Sequence, residues 1–237
     1  MKLKFAIATA ALLSASTAYA APVNLTYNGP VIGPYESVTV TTTPVPVIGG
    51  NTVAAGAFDM TQTGGGGLGD FFAWCLDLGA YLGTTGNYEI TTTPFQNGGV
   101  DLMQAGIDRI SAVFNANFSA DVTSGTVKSA AFQLALWETV YDTDFNIATG
   151  AFQAASGNSD VNTAAEGYLT AAKTYLDDDG GPDMWSVLFL ESTDGGVDGD
   201  RQQNLVTVAP VPLPASVLML LAALGAMGVT ARRRQTA

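Results

Sequence analysis

SAAFQLALWETVY, residues 129–141, reads as a helix. Gln133 stands in it among Ala, Phe, Leu and Trp, where an apolar side chain is expected. On a helix its near neighbours are Ala130, Leu136, Trp137 and Val140, so the amide lies within an apolar stripe. Buried there, it needs partners for one carbonyl and two N–H bonds, or it costs about 1–3 kcal/mol. The run belongs to a longer helical block, from Asp101 to about Asp177. In DLMQAGIDRISAVF, Met103, Ile107, Ile110 and Phe114 make one stripe behind Asp101 as N-cap. A second helix spans about Gly125 to Tyr141, and a third about Val161 to Leu176, capped by Asp160.

Either side of that block the pattern is β. From Val23 to about Thr92 the chain is rich in Val, Thr, Tyr and Phe, and ESVTVTTTPVPVI and NYEITTT alternate as half-buried strands do. TGGGGLGD reads as a loop. MWSVLFLES and QQNLVTV return to strand composition near the end of the body. No internal repeat or heptad series is present. The order predicts an α+β fold, a β-sandwich or barrel with an inserted three-helix subdomain over about 101–177.

The two ends are of another kind. Lys2 and Lys4 precede an apolar run from Phe5 to Leu13, and Ala18-Tyr19-Ala20 carries small residues where a signal peptidase reads. Residues 1–20 are therefore expected to be a secretory signal peptide. Ala21, not a cysteine, stands directly after the cleavage point, which argues against a lipoprotein. At the other end, Leu213 to Val229 is an uncharged, mostly apolar run, with Arg232, Arg233 and Arg234 just beyond it. As a helix, its 17 residues reach roughly 25 Å, just short of a hydrocarbon core of about 30 Å. The arginines place the extreme C-terminus in the cytoplasm. A plain tail anchor is one reading. The segment also resembles the PEP-CTERM class of sorting signals, through a Pro-rich motif, a short span and a basic cluster. The motif here is Val211-Pro212-Leu213-Pro214-Ala215, the VPLPA variant, within a sorting region over 209–237. That resemblance implies processing by an exosortase-type transpeptidase of Gram-negative bacteria and delivery to the cell surface or matrix.

Between the ends, about 185 residues suffice for a sizeable core. All 21 acids fall in this body, against only Arg109, Lys128, Lys173 and Arg201, which leaves a net charge of −17. Nucleic acid and anionic membrane surfaces are poor partners for it. The chain has no histidine, so Ser-His-Asp and Cys-His pairs and histidine-bearing zinc sites are excluded. The acidic loops DDDGGPD and TDGGVDGD raise calcium, and Asp198 and Asp200 match one step of a calcium loop. The rest of the register is missing, so solvated turns are expected, with no metal and no cofactor.

Cys75 is the sole cysteine, which excludes an intramolecular disulfide in an oxidising compartment and makes the thiol a candidate for chemistry. It lies in GDFFAWCLDLG, where alternation sets Phe72, Trp74, Leu76 and Leu78 on one side and Phe71, Ala73, Cys75 and Asp77 on the other. Two readings follow. Gln133 hydrogen-bonds strand backbone while Cys75 is an ordinary buried thiol. Or the Cys75 sulfur has displaced ammonia from the Gln133 amide to form an internal thioester. Cys is the nucleophile able to do this without a general base, and Gln or Asn supplies the amide.

Trp74-Cys75-Leu76-Asp77 and Gln133-Leu134-Ala135-Leu136-Trp137 resemble the two motifs of the bacterial surface thioester-domain family, in order, spacing and strand/helix placement. The resemblance spans about Asp70 to Tyr141, within an exported domain over 21–208. It implies that Cys75 and Gln133 are the bonded pair, with Trp74, Asp77 and Trp137 around them. One departure is Phe132, where members commonly have Thr. Glu138 and Asp142 are expected on a solvated helix face.

The expected function is that of an exported surface or matrix protein, not an enzyme, which bonds once to a lysine or polysaccharide nucleophile in adhesion or biofilm. The alternative is a non-reactive structural or binding protein of the matrix with the same fold. A two-carboxylate hydrolase is a third class, but no acid pair stands out for it.

Overall fold

The computed structural model describes residues 22–30, 35–64, 67–95, 100–178, 180–194 and 202–210. The expected signal peptide, Asp198 and Asp200, and the segment from Val211 through the arginine cluster lie outside them. Among the described residues no helix is long and apolar enough to cross a membrane.

Six strands close a barrel: β1 (Pro22–Pro30), β4 (Phe58–Gly64), β5 (Asp70–Cys75), β9 (Leu205–Pro210), β8 (Trp185–Ser192) and β6 (Thr85–Thr91), in that order around it. Every pairing is antiparallel, so alternate side chains point inward and supply the barrel core. Val23 and Leu25 of β1, Met60 of β4, Ala73 of β5 and Tyr88 of β6 are all buried. A second sheet pairs β2 (Glu36–Thr42) with β3 (Thr52–Ala55) on one edge and β7 (Gln153–Ser156) on the other.

The chain runs from β6 into α1 (Gln104–Asn117) and α2 (Thr126–Tyr141), then through β7 into α3 (Ser159–Asp177) before β8. The expected α+β architecture is present, and the helical region also carries a strand. QAAS is too short to announce itself; its pairing with β2 makes it a strand. From Ser129 to Tyr141 every residue of α2 is buried, because the helix packs against the strands on one side and α1 and α3 on the other. A helix apolar on all sides belongs in such a position.

Several local expectations are corrected. α1 is capped at Met103, not Asp101, and Met103 is 72% exposed instead of contributing to the buried stripe. Leu102 folds over the first turn instead, against Gly106, where a Cβ would collide with it. The third helix starts at Ser159 with Asn158 as cap, its side chain accepting from the Asp160 N–H. β2 stops at Thr42, short of the Pro-containing half of its run. Alternation in the Cys75 strand also fails: Ala73 through Leu78 are all buried, while Phe72 is exposed. The ladder ends at Cys75, and the chain beyond it is covered on both sides.

Candidate functional site

Cys75 sits at the last rung of β5, paired with Leu205 where β5 meets β9. Facing it, α2 presents Ser129, Gln133, Trp137 and Tyr141 at four-residue intervals, which puts them on one face. Three of the four use polar atoms to bind backbone. Ser129 Oγ accepts from the Ala57 N–H at 2.8 Å. Tyr141 Oη accepts from the Leu78 N–H at 2.8 Å and donates to the Leu76 carbonyl at 3.1 Å. Gln133 takes the residue before Leu76: Cys75 N–H donates to Gln133 Oε1 at 2.9 Å, and Gln133 Nε2 donates to the Cys75 carbonyl at 2.6 Å. The glutamine side chain thus acts on Cys75 as a neighbouring strand would. Gln133 is 0% exposed and Cys75 1%.

The sulfur lies within the following turn. The Asp77 N–H donates to Cys75 Sγ at 3.2 Å, and Sγ is the same distance from the Asp77 carbonyl. Asp77 therefore meets the sulfur through its backbone; its carboxylate Oδ1 accepts from the Gly79 N–H and holds the turn. Cys75 and Trp137 both line a cleft of about 370 Å³, together with Tyr27, Tyr35, Tyr81 and Gln203. Tyr27 and Tyr35 join hydroxyls at 2.7 Å. Gln203 Oε1 is buried and finds no donor among the described residues.

Trp74 lies elsewhere. Its ring packs on Phe132 at 5.0 Å and on Phe114 and Phe118, within an aromatic cluster that reaches α1. Phe132, the departure from the thioester-domain motif, fills this cluster and also contacts Phe114 and Tyr168. Successive residues are thus matched across strand and helix: Trp74 against Phe132, Cys75 against Gln133. The aromatic pair packs the two elements together, and the polar pair sets their register.

Two residues of this face escaped sequence reasoning. Ser129 and Tyr141 flank Gln133 at helical spacing, and that repeat of polar groups on one stripe was the available signal. Glu138 and Asp142 are the reverse case. Glu138 is not on a solvated face but fully buried, because the loop after α2 folds back over the helix end. Burial, then the hydrogen bond with Asp144, pushes its carboxyl up to about 8.

Residues 210–234 match the PEP-CTERM protein-sorting motif. The chain therefore carries the signal of an exported Gram-negative surface protein processed by an exosortase. No curated protein matches the chain in sequence. Among solved structures it is similar to the N-terminal domain of the Streptococcus pyogenes pilus tip adhesin Cpa, at 12% identity. That match covers 76% of this chain and 96% of the other, with a TM-score of 0.42.

Proposed function

We propose that this is an exported attachment protein in which Cys75 and Gln133 form an internal thioester, and that it bonds once to an amine or hydroxyl on a surface or matrix partner. The observation that carries this reading is the pair of hydrogen bonds holding the Gln133 amide on Cys75 itself, both residues being buried. In the bond-forming step, Cys75 Sγ attacks Gln133 Cδ. The Sγ–Cδ bond forms, the Cδ–Nε2 bond breaks, and Nε2 leaves as ammonia with the thiol proton. The Cys75 N–H already donates to Oε1, where negative charge collects in the tetrahedral intermediate. A partner amine later forms a bond to Cδ while the sulfur leaves. The Asp77 N–H then stabilises the charge developing on the sulfur, and the proton lost by the amine restores the thiol.

The protein is consumed in that reaction, so it is not an enzyme. The partner, a lysine or a polysaccharide, enters by the cleft, where Gln203 Oε1 offers an acceptor to an incoming N–H. Residues 1–20 direct export, 21–208 form the reactive body, and 209–237 are the sorting region with its membrane span. Adhesion or biofilm is the setting this chemistry suits.

The test is the intact mass of the purified chain with and without methylamine. A mass short by one ammonia, converted by methylamine to an adduct and absent in Cys75→Ala, is the expected result. A full mass with a thiol that reacts with maleimide after unfolding sinks the covalent reading. The two hydrogen bonds of Gln133 would then be those of a satisfied core amide, in a non-reactive matrix protein.

A further inference from the structure

The end of α2 opposite to this chemistry holds three carboxylates that nothing in the thioester reading uses. Ligand oxygens of Glu138, Asp142 and Asp144 all lie within 4.8 Å of one another. Around a calcium ion with oxygens at about 2.3–2.6 Å, two ligands are at most about 5 Å apart, so the trio fits within one coordination shell. Glu138 supplies the deciding observation. It is 0% exposed, and its Oε2 is buried without a hydrogen-bond donor among the described residues. Its other oxygen accepts from the Asn146 N–H at 3.1 Å. The Glu138 carboxyl lies instead within hydrogen-bonding reach of the Asp144 carboxyl, and two carboxylates can be joined only by a proton or a cation.

Among the described residues no side-chain cation forms an ion pair with them. α2 has no basic residue in its last turn and ends on Asp142, although the C-terminal end of a helix favours cations. Arg109 is influenced by Asp142 and Glu138 but donates its N–H groups to the Thr139 and Ala105 carbonyls. The ion pairs among the described residues, Lys128–Asp121 and Lys173–Asp177, do not involve the trio. Space is kept by Gly150, where a Cβ would collide with carboxylate oxygens of Asp142 and Asp144. All the donor atoms are oxygen, the preference of hard cations.

We propose that Glu138, Asp142 and Asp144 bind a hard divalent cation, calcium for an exported protein, which closes the C-terminal end of α2. The proposal needs no thioester, and its failure leaves the chemistry at Cys75 untouched. The experiment titrates chelator-treated full-length chain, in detergent, with terbium and then calcium, reading the emission sensitised by Trp137 beside Glu138. Saturable emission that calcium reverses, weakened about tenfold or more in Asp144→Asn, is the expected result. Asp144 is exposed, so that variant keeps the fold, which circular dichroism checks; Glu138→Gln is the second variant. Absence of saturable binding at millimolar calcium overturns the proposal and leaves a proton between the carboxylates. Binding unchanged in both variants overturns it too, since the ion then sits elsewhere.

Discussion

Two regions of α2 bury polar groups by opposite means. On the face toward Cys75, Ser129, Gln133 and Tyr141 each meet backbone groups that complement them, donor to acceptor. At the C-terminal end, Glu138, Asp142 and Asp144 bring acceptors together. The first arrangement is complete within the chain, and it turns a helix face into a substitute strand edge. In the second, backbone N–H groups and the Thr149 hydroxyl donate to Asp142 and Asp144, and Glu138 Oε2 is left for a proton or the proposed cation. A buried amide is therefore evidence of precise positioning, whereas the buried Glu138 carboxyl, gathered with two further carboxylates, calls for a proton or a cation.

The largest break in this comparison is Gln133→Ala. On the proposed reading it removes the thioester and strands the Cys75 N–H in the core, the Nε2 donor to the Cys75 carbonyl having left when the bond formed. A cross-link between residues 58 positions apart contributes about 4 kcal/mol by loop entropy, and the unpaired N–H adds about 2 kcal/mol. Urea unfolding should show a loss of about 6 kcal/mol, or failure to accumulate folded protein. Cys75→Ala comes next. Its backbone still pairs with Gln133, so only the cross-link and a small cavity are lost, about 4–5 kcal/mol. A loss near 1 kcal/mol instead would mean that an ordinary thiol had been truncated.

Tyr141→Phe probes the same face without touching the reacting pair. Leu78 N–H and Leu76 carbonyl lose their shared partner, at about 1–2 kcal/mol in the same assay. The thioester mass deficit should survive. The smallest effect sharpens the other end: Glu138→Gln places an N–H against Asp144. In chelator above about pH 8, where Glu138 is ionised, it should stabilise the protein by about 1 kcal/mol, and with calcium present it should be neutral or destabilising. A destabilisation of equal size with and without calcium would show that Glu138 serves packing alone.

The helices were legible because their apolar residues recur at helical period, and α2 begins and ends as expected. The Cys75 strand was legible in composition but not in its facing. Two-sided burial erases alternation, and only the packed helices reveal that both sides are covered. β7 could not be read, since a four-residue strand owes its existence to the edge of β2. Glu138 and Asp142 were read as solvated because charge predicts exposure; the fold-back of the loop after α2 overrules it for Glu138.

The sequence by itself determined the classes of chemistry open to this protein. A chain without histidine and with one thiol has few nucleophiles, and the C-terminal sorting motif declares export. It also placed a lone amide in an apolar stripe, a local property readable from spacing. Tertiary structure alone decided what that amide meets and where the carboxylates converge. Cys75 and Gln133 lie on different elements, and Glu138 is covered by a loop that no local periodicity describes. Hydrogen bonds and electrostatic fields act through space, so partners distant in sequence become known only when the chain has closed on itself.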